Sequence, residues 1–263
     1  MTEEERARIF PQHAGAYIST VSRKFRHEIG TTFDHRVIQP LAPHEFPTEL
    51  RLERTYGGLG ADIVVTPITS NSLIEASGRF ARTRRTRIGS PHVIAAMAEA
   101  MARPGPRVAG FEANGGFLLG YTAETRAGRI APLMTRDAVL PILVPLAEAA
   151  RRRLPLSALV AELPGRRTAS DRLAGIAPAQ GEALIRRLVD DPAARARFFV
   201  AAGPEAAIDL TDGLRVTFAN GAVAHLRPSG NAPEFRCYAE AEDQEAADHL
   251  LGTTLDATRR AFG

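Results

Sequence analysis

The residues best suited to chemistry lie near the end of the chain, in Arg227-Pro228-Ser229-Gly230-Asn231-Ala232-Pro233 with Phe235-Arg236 just beyond. Gly230 permits a tight turn that aims successive backbone N–H groups into one concavity, a nest for an anion. Ser229 and Asn231 add side-chain donors. Arg227 and Arg236 supply charge-assisted bonds suited to phosphate oxygens, each worth roughly 1.5–3 kcal/mol. The plainer alternative is a hairpin loop with a solvated arginine. A second set is Gly110-Phe111-Glu112-Ala113-Asn114-Gly115-Gly116-Phe117. A carboxylate and a carboxamide this close can bind vicinal hydroxyls, and the glycines let backbone approach a ring. Here the alternative is a glycine-rich turn between strands with Glu112 exposed. A third set pairs Thr66-Pro67-Ile68-Thr69-Ser70-Asn71 with Arg85-Thr86-Arg87-Ile88-Gly89-Ser90-Pro91, where Arg87 either serves a ligand or decorates a loop.

These elements must be positioned by a layered fold. Asp62 to Pro67 reads as a short buried strand, and Ser70-Asn71-Ser72 offers a helix N-cap. Ser90-Pro91 opens a second helix, with Val93, Ile94 and Met97 at helical spacing. Val108 to Phe111 is another strand. Thr135 to about Arg153 reads as a long helix divided or kinked at Pro141 and Pro145, and Leu156 to Leu163 as a shorter one. A connector covers Arg166 to Gly181, and Gln180 to Val189 is helical. The period then changes to two: Ala207–Leu210, Arg215–Phe218, Val223–Leu226 and Phe235–Ala241 read as strands. Asn220-Gly221 marks a hairpin in which both turn residues tolerate positive φ. Asp243 to Phe262 is a closing helix with Ala246, Leu250 and Leu251 on one face. The fold class is therefore α/β, a mixed α/β domain at 57–165 followed by a small α+β domain with an antiparallel sheet at 166–263. Residues 1–56 form an irregular segment broken by Pro40, Pro43 and Pro47. Its histidines His13, His27, His35 and His44 lack metal-ligand spacing.

Composition narrows the function. The chain of 263 residues is 44% hydrophobic with a net charge of +3, and Lys24 is its only lysine, so arginine carries the positive charge. Arginine is a planar fork suited to phosphate and carboxylate, although a GC-rich gene gives the same bias. Acidic residues are interspersed with the arginines, and no basic block with aromatics appears, which argues against nucleic acid as a partner. No run of about 18 apolar residues suggests a membrane span, and Met1 to Arg8 is charged without an apolar stretch behind it. With Cys237 the only cysteine, a cytoplasmic location is expected.

Together the three sets resemble the α-D-phosphohexomutase family of phosphomannomutases and phosphoglucomutases. The family's phosphate loop typically reads Arg-Pro-Ser-Gly-Thr-Glu-Pro, and Asn231 and Ala232 depart from it here. The Glu-Ala-Asn-Gly-Gly stretch is similar to the sugar loop of some bacterial members. The resemblance covers residues 57–263 and implies the family's third and fourth domains. It implies sugar binding by Glu112, Asn114, Gly115 and Arg87. It implies phosphate binding by Arg227, Ser229, Gly230, Asn231 and Arg236. The partners implied are mannose or glucose 1- or 6-phosphate. Members transfer phosphate through a Thr-Ala-Ser-His-Asn-Pro serine loop and hold magnesium with an Asp-Gly-Asp-Gly-Asp-Arg loop, and neither sequence occurs here. Thr168-Ala169-Ser170-Asp171 resembles the serine loop superficially and is expected to cap a helix. No catalytic residue and no cofactor are therefore expected in this chain, magnesium belonging to the intact family. Three readings stay open: a split or truncated mutase completed by a separate chain, a non-catalytic sugar-phosphate-binding module, or a gene relic. Loss of the second domain is expected to bare an apolar face near Asp62–Thr66 and favour self-association.

Overall fold

The structure is a computed structural model that describes residues 58–112, 116–125, 128–137, 139–230 and 232–263. The irregular segment expected over 1–56 lies outside them. The chain divides into a unit at Met1–Phe46 and one at Pro47–Gly263, and the second unit holds every described residue.

Its first sheet runs β2-β1-β3-β4-β7. β1 (Ile63–Pro67) leads through the short α1 (Leu73–Ala76) to β2 (Arg82–Thr86), and α2 (Ser90–Met101) leads to β3 (Val108–Phe111). β1 pairs in parallel with both β2 and β3. β4 (Phe117–Leu119) turns back antiparallel on β3, and β7 (Leu133–Asp137) pairs antiparallel with β4. A small hairpin of β5 (Ala123–Thr125) and β6 (Gly128–Ile130) intervenes. Parallel strands covered on both faces are apolar on both faces. In β1, Val65 packs with Val93 and Met97 of α2, while Val64 joins Ile74, Phe111 and Phe117 on the other side. β1 is therefore a central strand with 64–67 buried, and the described residues leave no bare apolar face near Asp62–Thr66, contrary to expectation.

The helix expected from Thr135 starts later. Residues 133–137 are β7, and α3 spans Leu140–Arg152. Asp137 Oδ1 accepts the N–H groups of Val139 and Leu140 at 2.8 and 3.1 Å, which stops the strand and opens the helix. Pro141 occupies the first turn, and Pro145 sits inside an unbroken α3. α4 follows at Leu156–Ala161.

The second sheet is antiparallel throughout, in the order β8-β12-β11-β10-β9. Its strands are β8 (Arg167–Ala174), β9 (Glu205–Asp209), β10 (Leu214–Phe218), β11 (Val223–Pro228) and β12 (Glu234–Ala241). The connector expected at 166–181 thus contains a strand. Ser170 lies in β8 opposite Tyr238 instead of capping a helix. Alternation places Leu214, Val216, Ala224, Leu226, Phe235, Cys237 and Ala239 on one face. That face is covered by α5 (Pro178–Asp190), by α7 (Gln244–Phe262) and by Phe199, which follows α6 (Pro192–Phe198). α7 buries Ala247, Leu250, Thr254, Leu255 and Thr258, so Ala246 and Leu251 only flank the buried face.

The β10–β11 hairpin turns at Ala219–Ala222. Only Gly221 takes a positive φ (81°), and its N–H donates to Phe218 O at 2.9 Å. This is the turn with a glycine bulge, not the two-residue turn expected from Asn220-Gly221.

Candidate functional site

The candidate site lies at the end of β11 and extends onto the polar face of the second sheet. Arg227 at the end of β11 pairs across strands with Arg236, and Arg236 with Arg172, so three guanidinium-bearing residues form one row on one face. One step along, His225 pairs with Tyr238, and their rings stack at 5.4 Å.

A cleft of about 690 Å³ opens at the end of β11. Arg227, Pro228, Ser229 and Gly230 form one wall, and Asp212 and Gly213 of the β9–β10 turn another. Arg87 enters from the segment between β2 and α2, and Ile185, Arg186 and Val189 of α5 close the far side. The fold thus brings Arg87, Arg227, Ser229 and Gly230 together from segments that are far apart in sequence. Arg236 lines a separate hollow of about 360 Å³ with Arg172 and Tyr238. Asn114, Gly115 and Asn231 lie outside the described residues.

The nest expected at Gly230 is not formed by the described backbone. Gly230 is not in the left-handed region, and a Cβ there would meet open space. The Ser229 N–H is already used, donating to Glu234 O at 2.8 Å to close the β11–β12 ladder.

Glu112 sits just after β3 and is buried, 7% exposed, which removes the alternative of a solvated turn residue. Ser90 Oγ donates to its Oε2 at 2.6 Å, and Arg136 Nη1 of β7 stands 3.6 Å from the same oxygen. Ser90 begins α2, three residues after Arg87. The segment 87–90 therefore touches the Glu112 carboxylate at one end and the cleft at the other.

Asp212 completes the link. Its Oδ2 accepts the Ile88 N–H at 3.0 Å, and its Oδ1 lies 3.4 Å from Arg227 Nε without hydrogen-bond alignment. Its carbonyl accepts from His225 Nε2 at 2.6 Å, which fixes the proton on that nitrogen. Burial is the main cause that pulls the His225 imidazole down to about 4, so the ring is neutral. Burial, and after it the charge of Arg85, also holds the nearby Arg215 guanidinium below its ordinary range. Sequence reasoning missed Asp212, Ser90 and Arg136. The Asp212-Gly213 dipeptide signals a turn, but nothing local shows that its carboxylate reaches a residue 124 positions away.

Comparisons with known proteins decide the family. Residues 49–166 match the profile of phosphoglucomutase/phosphomannomutase, alpha/beta/alpha domain III. Residues 184–257 match that of phosphoglucomutase/phosphomannomutase, C-terminal domain. The chain belongs to the phosphoglucomutase/phosphomannomutase family. A phosphomannomutase of Sinorhizobium fredii (strain NBRC 101917 / NGR234) is 47% identical over 199 residues, covering 75% of this chain and 41% of that protein. One of Salmonella muenchen is 41% identical over 207 residues, covering 78% and 42%. The chain thus spans about two fifths of the length of these relatives. Among solved structures, a phosphoglucomutase/phosphomannomutase family protein from Burkholderia thailandensis shares the fold. Its TM-score is 0.55 and its identity 19%, over 81% of this chain and 40% of that one. The N-acetylphosphoglucosamine mutase of Aspergillus fumigatus does so at a TM-score of 0.52 and 16% identity, over 82% and 44%.

Among the described residues, no three His, Cys, Asp or Glu side chains come together as a metal site would require. No helix among them is long and apolar enough to cross a membrane.

Proposed function

We propose that this chain is the sugar- and phosphate-gripping half of a hexose-phosphate mutase, and that by itself it binds its ligand without isomerising it. Residues 57–165 form the sugar-binding domain and 166–263 the phosphate-binding one. The observation that carries this reading is the shared cleft, in which Arg87 of the first faces Arg227 and Ser229 of the second. Arg227, Ser229, Gly230 and Asn231 hold the phosphate that is not reacting, with Arg236 beside them. Glu112, Asn114 and Gly115 take the ring hydroxyls, and Arg87 bridges the two. The related A. fumigatus mutase has been solved with glucose 1,6-bisphosphate and with GlcNAc-6P and magnesium. By analogy the ligand here is mannose or glucose 1- or 6-phosphate.

Intramolecular phosphotransfer needs a donor placed in line and a cation to neutralise charge. The 263 residues contain neither the family's serine loop nor its aspartate-rich loop. Ser170 is no substitute, being held in β8 without a His-Asn partner. Turnover, with its magnesium, awaits polypeptide that supplies those two loops, in the same cytoplasmic compartment. Isothermal titration with mannose 1-phosphate and glucose 1-phosphate tests the grip. Saturable heat is expected from the native chain and none from Arg227→Ala. Equal heat from both would remove the phosphate site from β11.

A further inference from the structure

A carboxylate in the wall of an anion-binding cleft repels the ligand unless it does something that offsets the repulsion. Asp212 is such a carboxylate. It lines the cleft with Arg87 and Arg227, and its side chain is only 14% exposed. Its two oxygens are divided between two segments. Oδ1 faces Arg227 Nε of β11 at 3.4 Å, and Oδ2 accepts the Ile88 N–H at 3.0 Å. The Asp212 backbone is fixed as well. Its carbonyl takes the proton of buried His225, and Gly213 behind it has φ 84° with no room for a side chain, since a Cβ would lie 2.2 Å from Leu226 O.

Resting on the function proposed above, we infer that Asp212 is a positioning residue that couples the segment carrying Arg87 to the Arg227 guanidinium. One carboxylate orients the Arg227 side chain along the cleft wall. It also tethers the backbone beside Arg87, so the two arginines stand at a set separation in the cleft. Ordering both before the ligand arrives lowers the entropy lost on binding. Because Ser90 Oγ holds Glu112 two residues further on, the same tether sets the distance between the phosphate grip and the sugar carboxylate.

The test compares the native chain with Asp212→Asn and Asp212→Ala. Affinity for mannose 1-phosphate is read by titration, and amide hydrogen exchange is read at Ile88. Asparagine keeps an oxygen for the Ile88 N–H but loses the charge that orients Arg227. The expected result is at least tenfold weaker binding with Ile88 still protected. Alanine is expected to weaken binding further and to expose the Ile88 amide, with exchange in β1 and β10 unchanged. A carboxylate that only opposed the anion would give the reverse, so equal or tighter binding by Asp212→Asn overturns the inference. Should the native chain not bind the sugar phosphate at all, the proposed function fails instead. The Ile88 amide then decides the coupling: unchanged exchange in Asp212→Ala overturns it.

Discussion

His225 shows what single residues contribute here. It is 2% exposed, stacked on Tyr238, and gives its one proton to the Asp212 carbonyl. The imidazole titrates near 6.5 when unfolded and at about 4 in the fold. Between those values the unfolded chain binds more protons, so stability is complete above pH 6.5 and falls as the pH drops toward 4, by about 3 kcal/mol. Urea denaturation at several pH values should show this slope, and His225→Gln should flatten it. The carboxylates of Asp62 and Glu205, which Arg107 and Arg195 hold below their ordinary range, act chiefly in the more acid range and leave the His225 window readable. Of the motif residues with chemical promise, Asn114, Gly115 and Asn231 lie outside the described residues and Arg236 lines a separate hollow. Arg87, Arg227, Ser229 and Gly230 do share a cleft. Asp212 was not legible, since its role is a tertiary contact. The Ser229 N–H belongs to the strand ladder, and Asn231, the next residue of the expected nest, lies outside the described residues.

Among the elements, strands with apolar or alternating patterns were readable, the edge strand β9 included, and the other edge strands were not. β1, β3, β10, β11 and β12 carry the apolar or alternating patterns that burial demands. β2, β7 and β8 lie at sheet edges. β2 reads Arg-Thr-Arg-Arg-Thr and β8 Arg-Thr-Ala-Ser-Asp-Arg-Leu-Ala, charged sequences that protect an edge from pairing and also hide it from periodicity. Turns follow backbone need. Gly213→Ala would force a side chain into the left-handed region and against Leu226 O. A cost of about 1–3 kcal/mol is expected, measured as a lowered denaturation midpoint, together with weaker phosphate binding as Asp212 shifts.

At the scale of the whole molecule, the two sheets are joined away from the cleft as well. Glu240 of β12 is 5% exposed and accepts from Ser72 N at 3.1 Å, from Ser72 Oγ, and from Arg166 Nε at 2.6 Å. Asn71 Nδ2 donates to Arg166 O at 3.3 Å from the same corner. Every charged group in this joint is paired, so Glu240→Ala leaves the largely buried Arg166 guanidinium without its counter-charge, with only Gly221 O still accepting from it at 2.8 Å. It should cost about 3 kcal/mol in denaturation. The joint and the Asp212 contacts link the two sheets at two places, and in the function proposed above they would hold both loops in one arrangement for a shared ligand. The phosphorus NMR spectrum of mannose 1-phosphate, followed during titration with the purified chain, examines grip and transfer in one experiment. A saturable shift of the 1-phosphate resonance is expected, with no 6-phosphate resonance appearing over time. A growing 6-phosphate signal would contradict binding without transfer, and an unmoved resonance would contradict the grip itself.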